Sequence, residues 1–144
     1  MTKSTLQEVT SYDATLVQAI RKLLAQLTTA PTTFDEEALR TLIENPATHL
    51  YILQEGAAVV GMLTLGIYHS PTGCKGWIED VVVDEKARGC GYGKELVEKA
   101  IAEARRYGVQ QLMLTSNPRR VAANKLYQQM GFEPKETNCY RMEL

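Results

Sequence analysis

The chain has no excess charge of either sign and no apolar run of membrane-spanning length. It carries three cysteines and two histidines in 144 residues. Each scarcity removes a class of protein. A net charge of −1 gives no global pull toward nucleic acid. No stretch approaches the ~20 apolar residues of a spanning helix, and no apolar signal region follows Met1-Thr2-Lys3-Ser4. Membrane and nucleic-acid partners are therefore not expected. Cys74, Cys90 and Cys139 are odd in number and lack metal-ligand spacing. The reading that follows is a reduced, cytoplasmic protein without structural disulfides or metal. His49 and His69 come with no partner pattern for hydrolytic chemistry, so each reads as a strand or surface residue. No repeat, low-complexity segment or linker interrupts the chain, and a single domain over 1–144 is expected.

What is present is a clear order of elements. Leu6–Val9 has the character of an opening strand. Leu16, Ile20, Leu23, Leu24 and Leu27 recur at helical spacing and predict a helix near 13–28. Asp35–Asn45 predicts a second helix, stopped by Pro46. His49–Leu53 and Ala58–Tyr68 predict strands around the Glu55-Gly56 turn. Trp77–Val83 predicts a strand, Lys94–Tyr107 a helix and Val109–Thr115 another strand. Asn117-Pro118 reads as the cap and first-turn proline of a helix ending near Met130. Asn138–Leu144 is predicted to close with a short strand. Hairpins followed by a strand–helix–strand unit argue for an α/β (α+β) fold, with a mixed sheet covered by helices on both faces.

The most specific local signal is Arg88-Gly89-Cys90-Gly91-Tyr92-Gly93, set between a strand and a helix. Such a loop turns backbone N–H groups inward, and the helix start adds partial positive charge, so the pair suits a diphosphate. Two common nucleotide motifs fail here. A P-loop through Gly93-Lys94 would need glycine at position 88 and a hydroxyl at 95, where Arg88 and Glu95 stand. A dinucleotide fingerprint fails at Lys94 when read from Gly89, and at Leu96 when read from Gly91. The segment from Lys86 to Lys125 carries nine basic and three acidic residues, a net +6, which leaves −7 for the remainder. Much of that +6 is the solvated face of two helices, but the setting suits a polyanion.

The remaining pattern, Arg88-x-x-Gly91-x-Gly93, resembles the acetyl-coenzyme-A loop of the GNAT superfamily of N-acetyltransferases. A second motif is similar to one later in that family: Asn124-Lys125-Leu126-Tyr127, followed by Gly131-Phe132. Asn124 and Tyr127 are three apart and share a helical face, and Gly131 reads as the helix stop. The resemblance is detailed over roughly residues 50–144 and extends to the amino-terminal third only as a helix pattern. It implies the GNAT fold, a mixed, mostly antiparallel sheet whose middle strands splay apart to admit the cofactor.

The resemblance also implies roles. Acetyl-CoA is the implied donor, with no metal. Amides from Arg88 through Gly89, Cys90, Gly91, Tyr92 and Gly93 to Lys94 would hold its pyrophosphate. Backbone groups of Val81, Val82 and Val83 would pair with its pantetheine arm. Asn124 would bond to the arm, Asn117 is a further cofactor-binding candidate, and Arg119 and Arg120 are candidates for its 3′-phosphate. Cys90 reads as a small loop residue rather than a redox group. Acetyl transfer needs a neutral amine, yet a free alkylamine has a pKa of ~10.4, so a base or a water relay is useful. Glu79 is the first candidate and Asp80 the second. Strand alternation places the two on opposite faces, with Glu79 beside Trp77, Val81 and Val83. Tyr127 would protonate the leaving sulfur.

The expected activity is transfer of an acetyl group to a primary amine of a small molecule by direct attack on the thioester. A non-catalytic CoA-binding sensor, an acyl-binding interaction protein, and a protein lysine or amino-terminal acetyltransferase are the alternatives. The amino-terminal helices and the Ser70–Lys75 turn are expected to shape the acceptor pocket. The −7 balance outside the donor segment favours a cationic acceptor. Relatives of this kind often dimerise, so a homodimer is also open, with the final strand as a candidate contact.

Overall fold

A computed structural model describes residues 3–144. Five strands lie side by side in chain order: β1 (Ser4–Glu8), β2 (Thr48–Glu55), β3 (Ala58–Ser70), β4 (Gly73–Val83) and β5 (Gln111–Met113). The first four are antiparallel, and β5 joins β4 in parallel. Helices α1 (Ala14–Leu27) and α2 (Glu36–Glu44) fill the long connection between β1 and β2. Helix α3 (Tyr92–Arg106) makes the crossover from β4 to β5, and α4 (Val121–Gln129) follows β5. Among the described residues no helix is long and apolar enough to cross a membrane.

Local chemistry explains where the first helices begin. Asp13 accepts a hydrogen bond from the Thr15 backbone N–H at 2.9 Å, and Asp35 accepts one from Ala38 N–H at 2.9 Å. Each carboxylate satisfies a donor that a helix start leaves unpaired. The apolar stripe of α1 then packs Leu16, Ile20 and Leu23 against Leu50, Met62 and Val82 of the sheet. On the opposite face, Leu96 and Val97 of α3 pack against Tyr51, Leu53, Leu63 and Leu65. Strand β2 shows the alternation plainly, with Leu50 and Ile52 toward α1 and Tyr51 and Leu53 toward α3. A fully buried leucine contributes ~1.5–3 kcal/mol to such a core. The layered arrangement is the one expected from the element order.

One irregularity sits at the centre. Met62 pairs with Val82 but Thr64 pairs with Glu79, so one residue of β3 faces two of β4. This is a β-bulge, and Asp80 takes the left-handed conformation with φ of +51°. The bulge reverses the parity of the strand. Ile78, Val81 and Val83 all belong with the α3 cluster, whereas Val82 packs with α1. The expected grouping of Glu79 with Val81 and Val83 on one face is therefore wrong, because simple alternation does not survive the extra residue.

Three further expectations need correction. The strand predicted over Val109–Thr115 shrinks to Gln111–Met113. Val109 N–H closes the turn after α3 onto Ala104 O at 2.9 Å, and Gln110 N–H reaches Cys74 O of β4 at 2.9 Å just ahead of the three-residue ladder. Helix α4 starts at Val121 rather than beside Pro118. Asn117 instead forms a tight turn, its Oδ1 accepting from Arg119 N–H at 2.9 Å. The predicted closing strand at Asn138–Leu144 is not formed, and residues 133–144 are exposed and without regular structure. Tyr140 and Met142 alternate as strand residues would, but they lie in solvent.

The positive φ at Asp80 makes a specific stability prediction. Asn tolerates the left-handed region and a β-branched residue does not. Asp80→Val is expected to lower unfolding free energy by about 1–2 kcal/mol while Asp80→Asn stays close to the parent. Urea denaturation followed by circular dichroism would check both.

Candidate active site

The glycine loop lies where β4 passes into α3. Gly89 and Gly91 have φ of +85° and +79°, conformations that side-chain-bearing residues rarely take. Gly91 is also the N-cap of α3, and no side chain caps that helix start. Its leading N–H groups and the positive end of its dipole therefore face open space. Tyr92 anchors the turn from below: its ring is buried and its hydroxyl donates to Glu55 Oε2. That bond, with burial and nearby negative charge adding to it, pushes the Tyr92 phenol up to about 12. At Gly93 an added Cβ would stand 3.2 Å from Leu126 Cδ2, so glycine there lets α3 and α4 approach.

Between these elements runs a groove of about 560 Å³. Arg88, Gly91 and Lys94 form one end, Val81 and Val83 one wall, and Leu126 and Tyr127 the other. The groove exists because β4 and β5 pair only at Lys75–Gln111, Gly76–Leu112 and Trp77–Met113. Among the described residues, β4 has no strand on that side from Ile78 onward. The splay expected between these two strands is thus present, and it is bounded by residues of both motifs.

The groove continues past Tyr127 into a polar cleft of about 480 Å³ whose walls include Ile78, Glu79, Asp80, Thr115 and Arg120. Glu79 and Asp80 both line it, and both also line a second, mostly apolar cavity beneath α1 and α2. They do not point to opposite faces as strand alternation predicts; the bulge brings them together. Burial raises the Glu79 pKa above the ordinary carboxylate value, and the neighbouring Asp80 charge adds to the rise. Solvent still reaches both side chains, which screens part of that effect. Burial likewise raises the Tyr127 phenol, against an opposing pull from the Arg120 charge. Tyr127 therefore keeps its proton at neutral pH.

Not every predicted residue joins this constellation. Val82 turns its side chain away into the α1 cluster, leaving Val81 and Val83 in the groove. Asn124 Nδ2 donates to the carbonyls of Asn117 at 2.9 Å and Arg120 at 2.8 Å. It ties the turn before α4 to the helix, and neither it nor Asn117 lines the groove. Cys90 is an exposed thiol at the loop surface. Of the two arginines, Arg120 lines the groove and Arg119 does not. His49 is a buried strand residue held 3.2 Å from Glu8 and stacked on Tyr107. The Ser70–Lys75 turn touches neither the cleft nor the apolar cavity, since it lies at the far end of the β3–β4 hairpin. Phe34, Leu42 and Met62, which do line the cavity, belong to no motif in the sequence.

Comparison with known proteins defines the class. Residues 17–132 match the acetyltransferase (GNAT) family, and the chain belongs to it and is an N-acetyltransferase. Glucosamine 6-phosphate N-acetyltransferase 1 of Oryza sativa subsp. japonica is 32% identical over 123 residues, spanning 78% of this chain and 72% of that one. A putative acetyltransferase from Agrobacterium tumefaciens str. C58 superposes with a TM-score of 0.85 at 23% identity, covering 96% of this chain and 99% of the other. An aminoglycoside N-acetyltransferase solved in complex with CoA gives 0.80 at 16% identity, covering 99% and 96%. The two structural likenesses establish the shared fold.

The loop geometry carries its own prediction. Open space surrounds the Gly91 Cα, so a methyl group there is opposed by backbone conformation alone. Gly91→Ala is expected to cost about 1–2 kcal/mol of stability, whereas Gly93→Ala, with an ordinary φ, acts by pushing α4 outward through Leu126. Thermal unfolding of the two variants would separate the mechanisms.

Proposed function

We propose that the groove binds acetyl-CoA and that a primary amine of a small molecule takes the acetyl group by direct attack on the thioester. The observation that carries this is the continuity of the space: from the uncapped start of α3, along the unpaired edge of β4, past Tyr127, to Glu79. The residues fit the donor. Uncapped N–H groups at Gly91 and beyond suit a pyrophosphate, with Arg88, Lys94 and Arg120 adding charge. The free backbone edge beyond Trp77 suits an extended amide-bearing arm, which pairs with such an edge as a strand would.

The reaction then follows from the side chains. Glu79 takes a proton from the incoming ammonium, directly or through water, so that the nitrogen has a free electron pair. Its raised pKa makes it a better base than an ordinary carboxylate. The nitrogen attacks the thioester carbon, an N–C bond forms, and the C–S bond breaks. A backbone N–H of the bulged segment is suited to the carbonyl oxygen as it gains charge. The attacking nitrogen loses its second proton to solvent as the amide forms, and Tyr127 gives its phenolic proton to the leaving sulfur and recovers one from solvent. Asp80 holds a second negative charge beside the ammonium before it is deprotonated. Much of the rate comes from holding donor and acceptor in contact.

The direct test is thiol release from acetyl-CoA across primary amines. Tight acetyl-CoA binding with no release from any amine would assign the protein to the non-catalytic CoA binders instead. Tyr127→Phe is expected to lower kcat about 10²-fold and leave the KM for acetyl-CoA within a factor of about three; unchanged kcat would remove Tyr127 from the proton path.

The pH dependence has a definite sign. A base works when deprotonated, so kcat/KM rises with pH through the Glu79 pKa, and the raised value places that limb above the ordinary carboxylate range. Removing the Asp80 charge in Asp80→Asn should move the limb toward lower pH. The move is partial, because burial is the larger cause and remains. In Glu79→Gln the limb disappears.

A further inference from the structure

The carboxylates Glu79 and Asp80 stand between two different spaces. On one side is the polar cleft, which shares Val81, Arg120 and Tyr127 with the donor groove. On the other is a cavity of about 470 Å³ under α1 and α2. That volume lies within the range of small-molecule sites. An acceptor whose nitrogen sits at the carboxylates, facing the donor, projects the rest of its body into this second space.

The chemistry of the cavity wall is one-sided. Ile20, Leu24, Phe34, Leu42, Leu50 and Met62 supply most of it. Thr41 and Thr64 contribute hydroxyls, and Glu79 and Asp80 are the charged residues of the lining, which contains no Lys, Arg or His. Phe34 is set by a specific contact: Arg21 Nε donates to its backbone carbonyl at 2.6 Å, joining α1 to the segment that leads into α2. A phosphate placed here would lose its hydration with no cation to replace it, and two carboxylates would repel it. A polyhydroxylated ring would find two hydroxyl partners for many groups. The nearby cations, Arg120 and Arg141, line the polar cleft on the other side of the carboxylates and not this cavity; Arg141 is also paired with Glu143 at 3.1 Å.

We infer that the acceptor is a cationic amine on an apolar body, such as an alkylamine or aralkylamine. Its ammonium is held by Glu79 and Asp80, and its carbon skeleton fills the cavity under Phe34 and Leu42. This rests on the acetyltransferase reading of the same site and narrows its substrate. It also separates this chain from its rice relative, whose name specifies a phosphorylated amino sugar.

The test is a kinetic series with acetyl-CoA and the intact protein. Acceptors are n-butylamine to n-octylamine, 2-phenylethylamine, glucosamine and glucosamine 6-phosphate, with thiol release as the readout. Burying one methylene is expected to raise kcat/KM about fourfold until the cavity is full. Glucosamine 6-phosphate should fall at least about 100-fold below the best apolar amine, as an unpaired buried anion requires. Phe34→Ala should raise KM for 2-phenylethylamine about tenfold, with a thermal melt confirming the fold. A flat alkylamine series, or glucosamine 6-phosphate as the better acceptor, would overturn the inference while leaving the acetyltransferase reading intact. No turnover of any amine, with acetyl-CoA still bound, would overturn both.

Discussion

Beyond Trp77 and Met113 the parallel strands β4 and β5 stop exchanging hydrogen bonds, and every feature of the site depends on that parting. A continuous sheet would bury the backbone edge of β4 and pack Tyr127 against strand side chains. Because β5 ends after three residues, the edge stays free and α4 can lean in from the side. The gap is held open by two helices. Helix α3 is anchored by Leu96 and Val97 on the sheet and by the bond from Tyr92 to Glu55. Helix α4 is kept against α3 by the close approach of Leu126 to Gly93. Closing the gap would mean moving elements that the core fixes.

The bulge at Asp80 is the second half of the same device. A regular strand would send Glu79 and Asp80 to opposite faces and leave a single carboxylate in the cleft. The extra residue instead turns Val81 and Val83 into the groove and gathers both acids at the junction of two cavities. The charge of Asp80 then adds to burial in raising the Glu79 pKa. A bulge next to a site costs backbone regularity and re-aims side chains, and here it accounts for both the geometry and the electrostatics of the proposed base.

Much of this was legible before any coordinates. The first two helices were placed by the spacing of their apolar residues, and the carboxylates of Asp13 and Asp35 cap them in the structure. Gly91 and Gly93 marked a phosphate-type turn because little else needs that spacing of glycines. Three features were hidden. The bulge left no trace in Ile78-Glu79-Asp80-Val81, since Asp tolerates a left-handed φ without requiring it. Asn124 carries the family pattern, but its spare N–H groups go to the carbonyls of Asn117 and Arg120, a contact set by how the turn folds back. The tail at Tyr140 and Met142 alternates like a strand, yet alternation forms a strand only where a partner edge is at hand, and β5 is three residues long.

By itself, then, the sequence determined the class of protein and pointed to the glycine loop as one end of a groove. Helix periodicity, caps and the glycine spacing are local properties, and a short stretch of chain is enough to express them. The tertiary structure decided the cavity proposed for the acceptor. Ile20, Phe34, Leu42 and Met62 come from four separate segments, and each alone is indistinguishable from ordinary core. Only when α1 and α2 close over the sheet do they enclose a space, and only the bulge at Asp80 places two carboxylates at its mouth. A cavity is a property of what several surfaces leave unfilled, and no single segment carries that information.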